Sequence, residues 1–363
     1  MRKAFICPTK YVQGEDELLN LGYFVKTFGD SALLIAHEMD VARVKAKLDA
    51  TAEKFGVTFV PSNFGGECSR QEIARLQEVA KQNGCACTIG LGGGKAIDTA
   101  KCVAQGDALI ICPTIAATDA PTSHSAVMYT PDGAFDDYAY FKQSPSVVMI
   151  DTTVIANAPT RFLVSGMGDA LATYFEARAC VTKGAGTCAG GLSTEAAYAL
   201  AKLCFDTLME EGVKAKIALD AGACTTAVGK IIEANTLLSG IGFESCGLAG
   251  AHAIHNGLTV LPECHHMYHG EKVAFGTIAQ LVLENIPADE LEEIIGFCIE
   301  VGLPVTLKGL GLEEVTDEKI MAVAEAACAE NDTLHNMPFA VTVESVAAAI
   351  KAADAYGRYF MEG

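Results

Sequence analysis

The sequence predicts an α/β domain with a mostly parallel sheet over residues 1–157, followed by an all-α domain over residues 158–363. In the first domain, short apolar runs typical of buried strands alternate with amphipathic helical segments. Beyond residue 158 this strand-like alternation nearly disappears, and long alanine-rich segments replace it. The chain of 363 residues also exceeds the length at which a single hydrophobic core usually keeps growing. We therefore expect two domains, with a ligand site in the cleft between them.

The individual elements follow from hydrophobic periodicity and from turn residues. Residues 1–8 predict a first edge strand, and residues 128–141 predict a hairpin around the turn Thr130-Pro-Asp-Gly133. The other predicted elements of the first domain are strands over 32–36, 57–60, 85–90, 108–113 and 147–151, and helices over 18–27, 41–55, 69–83 and 96–105. The predicted helical segments of the second domain are 168–180, 193–210, 217–238 and 318–329.

Charge and composition exclude several classes of partner. The formal net charge of −19 argues against nucleic acid and anionic membranes, and it favours a small neutral substrate over a strongly anionic one. No apolar run approaches the ~18 residues that a membrane span needs. The 14 cysteines lack a disulfide-like spacing framework, and the apolar N-terminal segment is too short for a signal peptide. These features predict reduced thiols and a cytoplasmic protein.

The segment Gly90-Leu-Gly-Gly-Gly-Lys-Ala-Ile-Asp-Thr-Ala-Lys101 predicts a phosphate-binding turn. It follows an apolar strand and opens into helical spacing, so its glycines let the backbone approach an anion at a helix N-terminus. The spacing is neither G-x-G-x-x-G nor that of a P-loop. The alternative is a tight strand-to-helix turn without a ligand. A second candidate segment follows the next strand, where the hydroxyl-rich run with Thr114, Thr118, Asp119 and Ser123 is either a ligand loop or an ordinary polar connector.

The second domain contains candidate metal ligands. Asp169 lies in an otherwise apolar helix, and His252 and His255 are three residues apart on one helical face. His265, His266 and His269 follow shortly afterwards, and two imidazoles with one carboxylate leave an open position on a tetrahedral zinc ion. Other roles stay open from spacing alone, because Asp169 could cap its helix and His255 could be a buried histidine bonded to a carbonyl.

These segments together resemble the glycerol dehydrogenases within the iron-containing (group III) alcohol dehydrogenase superfamily, over nearly the whole chain. The segments Pro113-Thr-Ile-Ala-Ala-Thr-Asp-Ala-Pro121 and Gly168-Asp-Ala-Leu-Ala-Thr-Tyr-Phe-Glu-Ala-Arg178 point to the glycerol branch. The remaining similar segments are Phe64-Gly-Gly-Glu-Cys-Ser69, the glycine turn, Glu233 to Glu244, His252 to Thr259, His269 to Gly276 and His335-Asn-Met-Pro338. The resemblance implies the dehydroquinate synthase-like fold and NAD-dependent oxidation of glycerol to dihydroxyacetone.

The resemblance also implies roles for individual residues. Asp169, His252 and His269 would hold one divalent metal, usually zinc in this branch, and Asp119 would contact a glycerol hydroxyl. His255 is a candidate proton relay, one helical turn from His252. The residues implied in dinucleotide binding are Gly92, Gly93, Gly94, Lys95 and Ala96 around the pyrophosphate, with Thr114, Ala117, Ser123, Ser125 and Tyr129 towards the nicotinamide. Large homo-oligomers, such as octamers, are also expected from the resemblance.

Two positions depart from the family pattern. Relatives typically carry Gly-Asp after the second strand, where the aspartate accepts hydrogen bonds from the adenosine ribose, but this chain has Ala36-His37-Glu38. His37 could tolerate a 2′-phosphate, or Glu38 could replace the missing acid, so NAD is expected while NADP stays possible. Ala117 stands where relatives often have serine. The open alternatives are zinc or iron as the metal, other small diols or hydroxyketones as substrates, the sugar-phosphate branch of the fold, and a non-catalytic dinucleotide sensor.

Overall fold

The computed structural model describes residues 1–362, which divide into two compact units. Residues 6–159 and 222–224 form the first, here called the α/β unit. Residues 1–5, 160–221 and 225–362 form the second, here called the helical unit. No helix in the described part of the chain combines the length and apolarity needed to cross a membrane.

The α/β unit is built on a six-stranded sheet in the order β1-β8-β5-β4-β2-β3, and every neighbouring pair is parallel. This arrangement confirms the predicted fold class. A separate antiparallel hairpin, β6 with β7, confirms the predicted hairpin. The strands are β1 (Tyr11–Gly14), β2 (Ser31–Ala36), β3 (Thr58–Asn63), β4 (Cys87–Gly92), β5 (Leu109–Pro113), β6 (Ser125–Tyr129), β7 (Phe135–Tyr140) and β8 (Val147–Asp151).

The order in which the chain adds strands reverses between β2 and β4. From β2 the next strand, β3, is added towards one edge of the sheet, whereas from β4 the next strand, β5, is added towards the other edge. The ends of β2 and β4 therefore flank a topological switch point. Ala36 pairs with Leu91 in the register of these strands. Ligands of open α/β sheets bind outside the carboxyl ends of the strands at such a point. The helices of this unit are α1 (Leu21–Lys26), α2 (Glu38–Phe55), α3 (Arg70–Gln82), α4 (Gly94–Ala104) and α5 (Thr152–Ala156), with 3-10 turns at Glu17–Asn20 and Ala120–Thr122.

The helical unit has no named strand among its described residues, in agreement with the predicted all-α domain. Its central helices are apolar nearly all round, and Phe175 and Phe275 are fully buried. The helices are α6 (Thr160–Lys183), α7 (Glu195–Asp220), α8 (Thr226–Glu233), α9 (Ser239–Cys246), α10 (Gly250–Leu258), α11 (His269–Leu283), α12 (Ala288–Val301), α13 (Asp317–Ala327) and α14 (Val343–Glu362), with a π-helical turn at Ala234–Leu238 and 3-10 turns at Pro262–Cys264 and Thr333–Asn336.

Two predicted elements are wrong. The edge strand beside β8 is Tyr11–Gly14, not residues 1–8, and Lys3 instead forms an isolated bridge with Leu192 in the helical unit. A four-residue edge strand carries too little apolar periodicity to be recognised. The predicted helix over 217–238 is interrupted after Asp220, because Gly222 adopts a left-handed φ of +72° that a continuing helix does not allow.

Candidate active site

The glycine turn joins the buried strand β4 to α4 at the switch point. Gly92 has a φ of +151°, which favours glycine, and Gly93 is the N-cap residue and offers no side chain to the first N–H groups of α4. An added Cβ at Gly94 would meet no atom of residues 1–362 outside its own helix turn within 4 Å. The turn therefore presents helix N–H groups beside open space, as a phosphate site requires.

Lys95 and Tyr129 lie together at this end of α4. The Lys95 ammonium is 2.5 Å from Glu67 Oε1 and stands over the Tyr129 ring at 5.1 Å. Burial and nearby acidic groups raise the pKa of Tyr129 to about 12, so its hydroxyl stays protonated at neutral pH. Ala96 is buried in the first turn of α4, and a Cβ on Gly92 would lie only 3.0 Å from its methyl group.

An acidic side chain lies close to the end of β2, although the aspartate that typically binds the ribose in relatives is missing from this chain. His37 is exposed and is the N-cap of α2, where its Nδ1 accepts a hydrogen bond from the Met39 amide at 3.3 Å. Asp40, one turn into α2, brings its Oδ2 within 3.5 Å of where a Cβ on Gly92 would stand. Sequence reasoning missed Asp40, because only the sheet register brings the end of β2 beside the glycine turn.

The loop after β5 is held against β4 and α4. The Thr114 amide donates to Gly92 O at 3.1 Å, and Ala117 and Asp119 are half-buried. Asp119 is the N-cap residue of the 3-10 turn at Ala120–Thr122, and its carbonyl accepts the Thr122 amide. The predicted ligand residues of this loop therefore lie next to the turn that we expect to hold the pyrophosphate.

A buried lysine fixes the far side of this loop. Lys101 is 1% exposed, and its ammonium donates to Ala120 O at 2.6 Å, Ser123 Oγ at 2.7 Å and Ser125 O at 2.8 Å. Asp98 lies 3.3 Å from that ammonium through Oδ1 and accepts the Val127 amide through Oδ2 at 3.0 Å. Burial raises the pKa of Asp98 although the charge of Lys101 opposes the rise.

Sequence reasoning missed the role of this pair. Both residues lie in the quoted glycine-turn segment, and the available signal was a lysine and an aspartate three residues apart on one predicted helix. In the structure the Ser123 hydroxyl and the Ser125 carbonyl, both in residues predicted to line the dinucleotide path, contact Lys101.

Three side chains of the helical unit form a candidate metal centre. Asp169 comes from α6, His252 from the first turn of α10, and His269 from the first position of α11. Asp169 Oδ1 lies 3.4 Å from His252 Nε2 and 3.1 Å from His269 Nε2. One ligand atom from each residue lies within 4.8 Å of the others. The predicted metal ligands are therefore brought together.

The distances fit a small cation. Zinc ligands at about 2.0–2.1 Å in a tetrahedron stand about 3.3 Å apart, which matches the separations of the carboxylate oxygen from the two imidazole nitrogens. Two nitrogens and one carboxylate oxygen suit zinc and also iron. The set leaves an open coordination position, which a catalytic site needs and a closed structural zinc site lacks.

Asp169 and His252 influence one another's charge. Burial alone would raise the pKa of Asp169, but the charge of His269 and hydrogen bonds from both histidines hold it well below its usual range. Burial opposes protonation of His252, yet Glu176 and Asp169 raise its pKa well above the ordinary value. Asp169 is thus a carboxylate at neutral pH, the form that binds a cation.

Glycines explain how the three helices come close enough. A Cβ on Gly270 would overlap Ser165 O and stand 2.9 Å from the Asp169 amide, and a Cβ on Gly168 would overlap Gly270 O. The backbones of α6 and α11 therefore touch directly beside Asp169 and His269. In the same way, a Cβ on Gly276 of α11 would overlap Ala251 O of α10. These contacts set the separation of the ligand-bearing helices.

The other histidines have different surroundings. The His255 ring is buried and packs against His269 with ring centroids 4.3 Å apart, outside the three-residue cluster. Its Nδ1 lies 3.1 Å from Asn256 Oδ1, and the Asn256 amide donates to Asp332 Oδ2 at 3.0 Å. Burial, then the charge of His269, lowers the pKa of His255 well below its usual value. His265 and His266 are exposed and also lie outside the cluster.

Comparisons with known proteins show the family of the chain. The family model for iron-containing alcohol dehydrogenase matches residues 8–152. Over 363 residues the chain is 52% identical to the glycerol dehydrogenase of Citrobacter freundii, covering 99% of this chain and 100% of the relative. It is 46% identical to a glycolaldehyde reductase of Halobacterium salinarum, with 99% of each chain covered. The crystal structure of glycerol dehydrogenase from Schizosaccharomyces pombe has a TM-score of 0.95 at 39% identity, covering 99% of this chain and 92% of that one.

A candidate metal-ligand triad in the helical unit and a glycine turn in the α/β unit are features of the class of metal-dependent, dinucleotide-linked oxidoreductases. The chain belongs to the iron-containing alcohol dehydrogenase family, and its full-length relatives include members named glycerol dehydrogenase.

Replacing Gly270 with alanine tests the role of the helix contact. Because the added methyl group overlaps the α6 backbone, we expect Gly270→Ala to push α11 away and weaken zinc binding at least ~10-fold. Zinc affinity is measured by competition with a chromogenic chelator, alongside thermal unfolding. Gly296→Ala on α12 is the matched control, since its added Cβ meets no atom of residues 1–362 outside its helix turn within 4 Å. Wild-type zinc affinity in Gly270→Ala would contradict the argument.

A double-mutant cycle tests the Lys101–Asp98 pair. Lys101→Met leaves the buried Asp98 carboxylate without its positively charged partner and removes one donor from each of two carbonyl groups, so we expect a loss of about 3–5 kcal/mol in stability of the α/β unit. Lys101→Met combined with Asp98→Asn removes both charges, and its loss should be smaller than the sum of the two single losses. Urea unfolding followed by circular dichroism measures each variant, and strict additivity would show that the two charges do not interact.

Proposed function

We propose that this protein catalyses the reversible, metal-dependent oxidation of glycerol to dihydroxyacetone, with NAD as the hydride acceptor. The observation that carries the proposal is the convergence of Asp169, His252 and His269 in a chain that is 52% identical to a glycerol dehydrogenase over its full length. The glycine turn at a topological switch point supports the dinucleotide part of the proposal. The net charge of −19 agrees with a neutral polyol substrate.

Asp169, His252 and His269 would hold the cation, which we propose to be zinc rather than iron. When bound, a divalent cation would supply Lewis-acid stabilisation of negative charge on a substrate oxygen, and a bound nicotinamide would supply the hydride acceptor. The carboxylate of Asp169 offsets part of the cation's charge. Its burial keeps water from competing for the same oxygen.

We assign Asp119 to a hydroxyl of glycerol, since its half-buried carboxylate sits on a loop tied to the glycine turn. His255 is the proposed proton relay. Its Nδ1 faces the Asn256 carbonyl, which can only accept, so the lone pair able to take a proton is on Nε2. The dinucleotide would lie along Gly92, Gly93, Gly94, Lys95, Ala96, Thr114, Ala117, Ser123, Ser125 and Tyr129, with His37 at the adenosine end.

NAD is favoured over NADP by the acids at the end of β2. The Asp40 carboxylate lies against the glycine turn and has 22% of its side chain exposed, and Glu38 begins the same helix. A 2′-phosphate placed there would meet the negative charge of Asp40, and the nearby Arg43 is already engaged with Asp40 and Val154 O.

A second substrate candidate is a small hydroxyaldehyde or hydroxyketone. It is favoured by the 46% identity to a relative named glycolaldehyde reductase. Steady-state kinetics with glycerol, 1,2-propanediol, hydroxyacetone and glycolaldehyde, ranked by kcat/KM, separates these substrates.

We also propose that the protein is cytoplasmic and forms a homo-oligomer. Its 14 free thiols support the first proposal, and the exposed aromatic side chains Phe135, Tyr138 and Tyr140 support the second.

Asp169→Asn tests the proposed metal chemistry. Because the amide lacks the charge that binds the cation, we expect turnover of glycerol with NAD at 340 nm to fall at least ~100-fold. Binding of NADH, followed by its fluorescence, should stay at the wild-type level. Asp206→Asn, at an exposed aspartate paired with Lys202, is the matched control. Full activity of Asp169→Asn, or of the chelator-treated wild type, would contradict the assignment of Asp169 as a ligand of a catalytic metal. NADH binding without any turnover in the wild type would favour a non-catalytic dinucleotide sensor.

Asp40→Asn tests the choice of dinucleotide. Removing the negative charge beside the turn should raise the ratio of kcat/KM for NADP to that for NAD about 10-fold, equivalent to about 1.4 kcal/mol. Asp49→Asn, at an exposed aspartate paired with Lys45 on the same helix, should leave the ratio unchanged. If the ratio in Asp40→Asn equals that of the control, another group selects the dinucleotide.

A further inference from the structure

A buried carboxylate supports one of the three proposed metal ligands. Glu176 lies seven residues beyond Asp169, two turns further along the same face of α6, and it has no exposed surface. Its Oε2 is 2.6 Å from His252 Nδ1. Its Oε1 accepts the backbone amides of Ala249 at 2.8 Å and His252 at 3.0 Å. Glu176 therefore contacts both the ring and the backbone of one ligand residue.

We propose that Glu176 is the positioning residue of the metal centre, which fixes the tautomer and the orientation of His252. This inference rests on the proposed function, because it assumes that His252 binds the cation. Glu176 belongs to the segment Phe175-Glu-Ala-Arg178, to which sequence reasoning gave no chemical role.

The tautomer follows from hydrogen-bond chemistry. An ionised carboxylate only accepts hydrogen bonds, so the proton shared with Glu176 belongs to His252 Nδ1. In the neutral form that binds a metal, the lone pair of the ring is then on Nε2, the atom that lies 3.4 Å from Asp169 Oδ1. A metal-binding histidine needs that arrangement, with its second ring N–H donated to a fixed acceptor.

The backbone contacts fix where the ligand helix begins. α10 starts at Gly250 without a side-chain cap of its own, so its first amides need acceptors from elsewhere. Glu176 from α6 takes the Ala249 and His252 amides, and Gln280 from α11 takes the Ala251 amide at 2.8 Å. The start of α10 is thereby tied to both helices that carry the other proposed ligands.

Glu176→Gln is the decisive variant. The glutamine oxygen can still accept the backbone amides, but its NH2 group then faces His252 Nδ1 as a donor. The favoured tautomer of His252 would then have its lone pair on Nδ1 and its proton on Nε2, and that proton would block metal binding. We expect zinc affinity, measured by chelator competition on the purified apo-protein, to fall 10–100-fold. Glu176→Asp retains an acceptor but is one methylene shorter, so its affinity should lie between those of the wild type and Glu176→Gln.

Asp354→Asn controls for the loss of a buried carboxylate as such. Asp354 is buried in the same unit, accepts the Leu307 amide at 2.8 Å and pairs with Arg358 on α14. This variant should lose stability but keep wild-type zinc affinity. If Glu176→Gln does not fold, Glu176→Asp decides, and wild-type zinc affinity in the folded variant overturns the proposal.

The same assay separates this inference from the proposed function. Loss of zinc binding in Asp169→Asn together with wild-type affinity in Glu176→Gln overturns only the role of Glu176. Unchanged zinc affinity in Asp169→Asn overturns the metal centre itself and the inference with it. Reduced affinity in both variants, with Asp354→Asn unaffected, supports both.

Discussion

The direct backbone contact of α6 with α11 at Gly168 and Gly270 is the constraint on which the candidate metal centre depends. Each glycine is the chain neighbour of a proposed ligand, so the approach of the two helices also sets the distance between Asp169 and His269. The third ligand is brought in by a second glycine contact, between α11 and α10. The small residues of this unit therefore contribute geometry, while the carboxylate and imidazole groups beside them contribute the chemistry.

In both units, several hydrogen-bond partners surround a buried charged side chain. In the α/β unit the ammonium of Lys101 is surrounded by two carbonyls, a hydroxyl and the carboxylate of Asp98, which together replace its water shell. In the helical unit Glu176 is surrounded by three N–H groups. A buried ion is tolerated only when such partners satisfy it, so each network restricts a segment that carries proposed ligand residues.

The sequence predicted most reliably those strands that consist almost entirely of apolar residues. β2, β4, β5 and β8 are apolar because both faces of a parallel sheet are covered, and the residues that form them stood out for that reason. The edge strand at Tyr11–Gly14 is half-buried throughout and lacks this signal. The break after Asp220 depends on one glycine in a left-handed conformation, which an alanine-rich periodicity does not reveal.

The sequence by itself determined the order of the units, the glycine turn and the residue types available for metal binding, because these depend on local periodicity and on side-chain chemistry. Spacing alone left the choice among the five histidines between positions 252 and 269 open, and similarity to known sequences was needed to select two of them. Only the tertiary structure placed Glu176 against His252, Asp40 beside the glycine turn and Lys101 under the loop after β5. Those contacts join residues distant in sequence, and their geometry arises from which helices cross and how closely their backbones approach.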